Sequence, residues 1–269
     1  MHFKKKRIVV VGSDSIFPRT VAQIVADHLK AKKDVEFVGE KFLPVAATST
    51  FQFVRQISFT KPDAIINCIY GPANALFFAD LNTEAFITGK PVSVSVSISQ
   101  NEIKAMNPSA LAGDFLAASY FQDVDRPEGK AFIQKMKVKY GGDTIATDAM
   151  GAAYGSVNLW AKTVAEIGGT DPSEVLKALR GQEFEGPRGR VKIDPENLHT
   201  WLPARLARIR ADGDLELISG PGLNERIAPI PFPNTRSLNR WDEFVRGLNF
   251  KWNGKWQAPP EESAQKQGK

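Results

Sequence analysis

The chain opens on an unbroken apolar run over residues 7–12 (Arg-Ile-Val-Val-Val-Gly), β-branched and without polar alternation, the pattern of a strand buried on both faces. Behind it Val21, Ile24, Val25, His28 and Leu29 recur at helical spacing. That puts one apolar stripe of a helix against a sheet, and Pro18 suits the first turn of that helix. The alternation then repeats: the pattern predicts strands at 35–43, 63–70, 91–98 and 114–121, with helices at about 49–59, 73–87 and 99–106 between them. Strands and helices alternating through connections this short build βαβ units. Residues 1–121 are therefore expected to form a doubly wound α/β lobe, a parallel sheet with helices on both faces.

At Arg126-Pro127 the alternation stops. Over 122–186 three helical patterns follow in succession, at about 127–140, 147–167 and 172–180. The middle one carries Met150, Ala153, Tyr154, Val157, Ala161 and Val164 on one face, with Leu159 and Trp160 on a second, so it must be buried on more than one side. Residues 187–258 return to strands, at about 188–193, 203–211 and 214–218, the last two joined by the hairpin signal Asp212-Gly213. A Pro- and Gly-rich extended segment at 220–236, a short helix at 238–248 and an aromatic stretch (Phe250, Trp252, Trp256) come before a polar tail at 259–269, expected to be disordered. The strands of this region are too few to cover three helices. The expectation is that their sheet comes from another chain or from an amino-terminal part that precedes this sequence.

Composition narrows the function. With 42% hydrophobic and 24% charged residues in 269, the chain can build a core, and no run approaches the roughly 20 apolar residues of a membrane span. Cys68 alone makes no internal disulfide, and with only His2, His28 and His199 it makes no zinc site; no metal or cofactor is expected. The net charge of +5 rests largely on Lys4, Lys5, Lys6 and Arg7, while basic and acidic residues interleave elsewhere, so no nucleic-acid partner is expected. The apolar stretch at 8–11 is too short for an export signal. As it stands the sequence reads as cytoplasmic; a signal upstream would make it periplasmic.

Catalytic signatures are missing. The loop from Gly12 to Arg19 has one glycine and neither a dinucleotide fingerprint nor a phosphate loop, and no Gly-x-Ser-x-Gly elbow exists. His28 falls on an apolar helix face, His199 in a turn and Cys68 inside a strand, so no triad can be assembled and the chain is not expected to be an enzyme. What the carboxyl ends of the strands offer is hydroxyls and amides: Ser13 and Ser15, Asn67 with Tyr70, Ser97 and Ser99, Ser119 and Tyr120. Neutral donors and acceptors suit a small uncharged polar ligand. Ser13, Ser15, Ser97 and Tyr120 are expected to line one concavity, since parallel strands gather their following loops. Helix capping and strand ends touching water explain the same residue types equally well.

A string of motifs in fixed order carries a resemblance. Gly12-Ser13-Asp14-x-Ile16-Phe17-Pro18-Arg19-Thr20 resembles the signature of urea- and short-chain-amide-binding proteins, a branch of the type I periplasmic substrate-binding proteins of ABC transporters. Similarity continues through Ser95 to Ile98, Tyr120-Phe121, Ala152-Ala153-Tyr154, Gly181-Gln182-Glu183-Phe184 and the run from Gly189 to His199. The resemblance implies the type I periplasmic-binding-protein fold, two α/β lobes closing on a solute by hinge motion, here one full lobe and part of a second. It implies urea or an amide as the solute, and the strand ends put forward above, Ser13, Ser15, Tyr70, Ser97, Ser99 and Tyr120, are the ligand-binding candidates. The implied partner is a transporter permease, or a regulatory protein if the chain is a cytoplasmic amide sensor; a truncated, non-binding remnant is the third alternative. Ser15, Ala118 and Gly151 depart from the family pattern around the cleft, which points to a different ligand or a copy no longer selected for binding.

Overall fold

The computed structural model describes residues 6–83, 89–219, 225–230 and 233–260. Its centre is a seven-stranded sheet made of β1 (Arg7–Ser13), β2 (Glu36–Leu43), β3 (Ala64–Cys68), β4 (Val92–Ser95), β5 (Phe115–Ala118), β9 (Arg205–Ile209) and β10 (Leu215–Ile218). The strand order is β10-β9-β5-β4-β3-β1-β2; the first five strands in sequence run parallel, and β9 and β10 close one edge antiparallel. The order reverses between β1 and β3, the switch point that follows from α1 (Ile16–Lys30) crossing to one side while α2 (Phe51–Ser58) and α3 (Ala73–Leu81) cross to the other.

The predicted double burial of β1 has a direct physical form. Val9 and Val11 enter the larger core with Phe53, Ile57, Phe77 and Leu81 of α2 and α3, while Val10 points to the opposite face, with Ala22 of α1 and Cys68. All three valines are fully buried. Gly12 lies one residue before the end of this strand, under the first turn of α1; a Cβ there would lie 2.4 Å from the Cβ of Pro18, so only glycine lets the strand and that turn approach. The helix expected at 73–87 ends at Leu81, and 84–88 lie outside the described residues. After α4 (Gln100–Ala105) a 3₁₀ turn at Pro108–Leu111, absent from the sequence expectation, leads into β5.

The three successive helices are present as α5 (Pro127–Tyr140), α6 (Asp148–Ile167) and α7 (Pro172–Ala178). One expectation needs correction: the chain does supply a second sheet. β6 (Glu183–Gly186), β7 (Gly189–Ile193), β8 (Thr200–Pro203) and β11 (Arg226–Ile227) form an antiparallel sheet of order β11-β8-β7-β6, which lies against α5 and α6. β6 is too short and too charged for a periodicity signal, and pairing with β7 is what makes it a strand. It covers the side of α6 bearing Gly151, Gly155, Leu159 and Thr163, while Val157 and Trp160 remain 64% and 48% exposed.

The carboxyl-terminal helix α8 (Leu238–Lys251) runs longer than the predicted 238–248 and packs on α1. Trp241 is fully buried and donates its indole N–H to the Pro233 carbonyl at 2.9 Å. Past α8 the chain turns back over the loop after β1: Ile16 N–H bonds the Trp256 carbonyl at 2.9 Å and Ala258 N–H the Asp14 carbonyl at 2.8 Å. Residues 259 and 260 of the tail are described, and 261–269 lie outside the described residues.

Candidate functional site

The six candidate residues fall into two groups. Ser13, Ser15 and Tyr70 gather at the β1/β3 switch point, where Ser13 Oγ accepts from Tyr70 N–H at 3.0 Å and Ser15 Oγ donates to Tyr70 Oη at 3.2 Å. Tyr70 stacks on Phe17, and burial raises its hydroxyl pKa. The strand-like segment at 256–258 lies over this group, pairing Gln257 with Ser15, and leaves both serines buried. Arg19 clamps the neighbouring Asp14 with two hydrogen bonds of 2.6 and 2.9 Å, its guanidinium lying against the rings of Phe42 and Trp252.

Ser97, Ser99 and Tyr120 line a different space, a cavity of about 340 Å³ beyond the carboxyl ends of β4 and β5. The single concavity expected of Ser13, Ser15, Ser97 and Tyr120 is thus divided. The reason is tertiary: the segment after α8 fills the space above β1, and β3 separates β1 from β4. The cavity floor comes from Val96 to Gln100 and from Leu116 to Gln122, and its far wall is the start of α6, from Ala146 to Ala149.

Local chemistry sets each side chain. Ser97 Oγ donates to the Ile69 carbonyl at 2.7 Å, which ties the cavity rim to the end of β3. Ser99 is the N-cap of α4 in a reciprocal capping box with Glu102, whose Oε2 accepts from Ser99 N–H at 2.7 Å and Oγ at 2.8 Å. Its structural role therefore stands beside any contact with a ligand. Tyr120 is 2% exposed, packs edge-on to Phe132 of α5, and its phenol is pushed up to about 12 by burial. Both candidate tyrosines are neutral at physiological pH. Asn67, fully buried, donates to Asn74 Oδ1 at 2.9 Å and Ser95 Oγ at 3.1 Å and accepts from Ile69 N–H at 2.9 Å. It shapes the strand end and presents no group to the cavity.

Sequence reasoning missed five polar residues that line the cavity: Gln100, Glu102, Gln122, Thr147 and Asp148. Three had a signal, since the spacing of Ser99 and Glu102 marks a capping box and Thr147-Asp148 precedes an apolar helix. Behind this wall Asp148 accepts from Ser119 Oγ at 2.5 Å, and Arg188 donates to the same oxygen of Ser119 at 2.9 and 2.5 Å. Arg205 joins through the Ser119 and Arg188 carbonyls, so the crossings from β5 to α5 and from β8 to β9 meet at one serine. Burial lowers the pKa of both arginines. Among the described residues no group of His, Cys, Asp and Glu is placed to hold a metal ion.

Residues 1–238 match the family model described as periplasmic binding protein domain. The chain belongs to the periplasmic binding protein family. A solute-binding protein of an ABC transporter from R. palustris, solved in complex with benzoate, superposes with a TM-score of 0.73 at 16% identity, covering 85% of this chain and 61% of that one. Among curated proteins the chain is 28% identical over 101 residues to Leu/Ile/Val-binding protein homolog 6 of Brucella abortus, 37% of this chain and 26% of that protein. It is 29% identical over 113 residues to a Geobacillus stearothermophilus protein named limonene hydroxylase, 42% of this chain and 21% of that one. The chain therefore spans 61% of the solved relative and about a quarter or less of the two curated ones. The α/β fold with its mixed, mainly parallel sheet matches these type I periplasmic binding protein neighbours.

Proposed function

We propose that this chain is the solute-holding part of an ABC-transporter binding protein, and that its ligand is urea, a short-chain amide or a similar small polar molecule. The observation that carries the reading is the cavity lined by Ser97, Ser99 and Tyr120, located where an open α/β sheet presents its loops and furnished with hydroxyls and amides. The chain performs no chemistry in this reading. Solute bridges the loop ends of β4 and β5 and the start of α6, of which the end of β5 and α6 meet at the Ser119 junction, so binding favours the closed arrangement of the two regions. The closed, loaded form is what a permease recognises.

Two or three hydrogen bonds in a site open to water contribute about 0.5–1.5 kcal/mol each. They sum to about 1–4.5 kcal/mol, which at its upper end is close to the roughly −4.1 kcal/mol that corresponds to about 1 mM. Calorimetric titration of the chain with urea and with acetamide should give millimolar affinity, and Ser97→Ala should weaken it about two- to ten-fold. An unchanged affinity in that variant removes Ser97 from the site, and no heat or spectral change with any small amide removes the reading.

A further inference from the structure

The charge of the cavity wall carries the inference further; it rests on the solute-binding part of the reading just given and puts a cationic relative of the amides in place of a neutral one. Glu102 and Asp148 line the cavity, and no Lys, Arg or His does. Among the described residues Glu102 pairs with no cation; its Oε2 is held by Ser99, and its Oε1 accepts no hydrogen bond. Asp148, with its side chain 37% exposed, turns Oδ1 to Ser119 and stands 3.5 Å from Arg188, so its charge is partly offset. The neutral members of the wall, Ser97, Gln100, Gln122 and Thr147, supply no positive charge either.

We propose that Glu102 and Asp148 determine the specificity of this cavity, selecting solutes with a planar, cationic N–H head, an amidinium or guanidinium, and rejecting carboxylates. A carboxylate side chain accepts hydrogen bonds only, and a planar fork of N–H donors matches it with two parallel bonds. An anionic solute meets two like charges and no donor of opposite sign. Each carboxylate about 4 Å from a unit charge in water is worth about five-fold in affinity, with Glu102 contributing more because Arg188 faces Asp148. The solved relative that holds benzoate carries its ligand on the same fold, so the fold alone does not dictate the sign of the solute.

The test is a charge scan at constant shape: acetate, acetamide and acetamidinium, titrated calorimetrically into the full chain at low ionic strength. Acetamidinium should bind about ten-fold tighter than acetamide, acetate should give no measurable binding, and the preference should shrink in about 0.5 M salt. Glu102→Gln, which keeps an acceptor for the capping box, should lower the acetamidinium-to-acetamide ratio about five-fold, and Asp148→Asn should lower it less. Acetate binding as tightly as acetamidinium, or a ratio unchanged in both variants, overturns the charge assignment and leaves the solute-binding reading standing. Failure of all three probes to bind overturns both.

Discussion

At the residue scale, burial decides which polar groups are available. Cys68 sits in β3 on the α1 side of the sheet with no exposed surface, and burial pushes its thiol up to about 12. A thiol held protonated and shielded is inert, because the thiolate is the reactive form. We expect a thiol reagent at pH 8 to leave the native chain unlabelled and to label it once heat-unfolded; fast native labelling would show that β3 is not closed by α1. Asn67 makes the complementary point. It reads in the sequence as a candidate for ligand contact, yet its hydrogen bonds to Asn74, Ser95 and Ile69 leave nothing over for a solute. A sequence shows that an amide lies at a strand end but not how many neighbours reach it first.

At the scale of elements, the ends of the chain are tied together. Asp27 of α1 receives two hydrogen bonds from Arg236, at 2.5 and 2.9 Å, just ahead of α8. Those bonds, aided by Lys30, hold its carboxyl below the ordinary value of 3.8 against burial, which pushes the other way. A carboxylate with a depressed folded pKa contributes stability that is fully present above the unfolded value and is lost as pH falls through the folded one. Melting temperature should therefore drop as pH falls below about 4, through the lowered folded pKa, and Asp27→Asn should flatten part of that drop. Charge-assisted hydrogen bonds of this kind are worth about 1.5–3 kcal/mol, so Arg236→Ala should cost that order at neutral pH in a thermal melt. A melt indifferent to both changes would show that α8 does not depend on this tie. Its sequence separation explains why the contact was illegible: nothing in the local pattern near Asp27 refers to a residue more than two hundred positions away.

For the whole molecule, α6 is covered on one side only. The β6–β8 sheet covers one side, but Val157 and Trp160 on the other stay exposed, as do Val138 and Tyr140 of α5 and Leu176 of α7. Scattered apolar residues are normal on a surface; several on adjoining helices make a patch that favours association. The chain at micromolar concentration should elute ahead of a 29.6 kDa monomer in size-exclusion chromatography and bind a hydrophobic dye. Val157→Lys with Trp160→Lys should shift elution toward the monomer. A clean monomer without dye binding would mean that the patch is too small to matter.

The sequence by itself determined the parallel part of the larger sheet. Periodicity of two and of 3.6 is a local property, and Val9, Val10 and Val11, Val21 and Val25 of α1 and the Asp212-Gly213 hairpin each announce their state within a few residues, whereas His28, expected on the same stripe, is exposed. It also identified the hydroxyl-bearing strand ends, because a βα connection places them there whatever the remainder of the fold does. Only the tertiary structure decided which of those ends stay accessible. Ser13 and Ser15 are covered by residues 256–258, Ser97 and Tyr120 line a cavity completed by α6, and Glu102 and Asp148 set its charge. β6 likewise exists through its partner β7, because four residues gain a strand's hydrogen bonds only when another chain segment supplies them. Accessibility, pairing and charge at a site depend on distances between segments far apart in the chain, and those distances exist only once the core has closed.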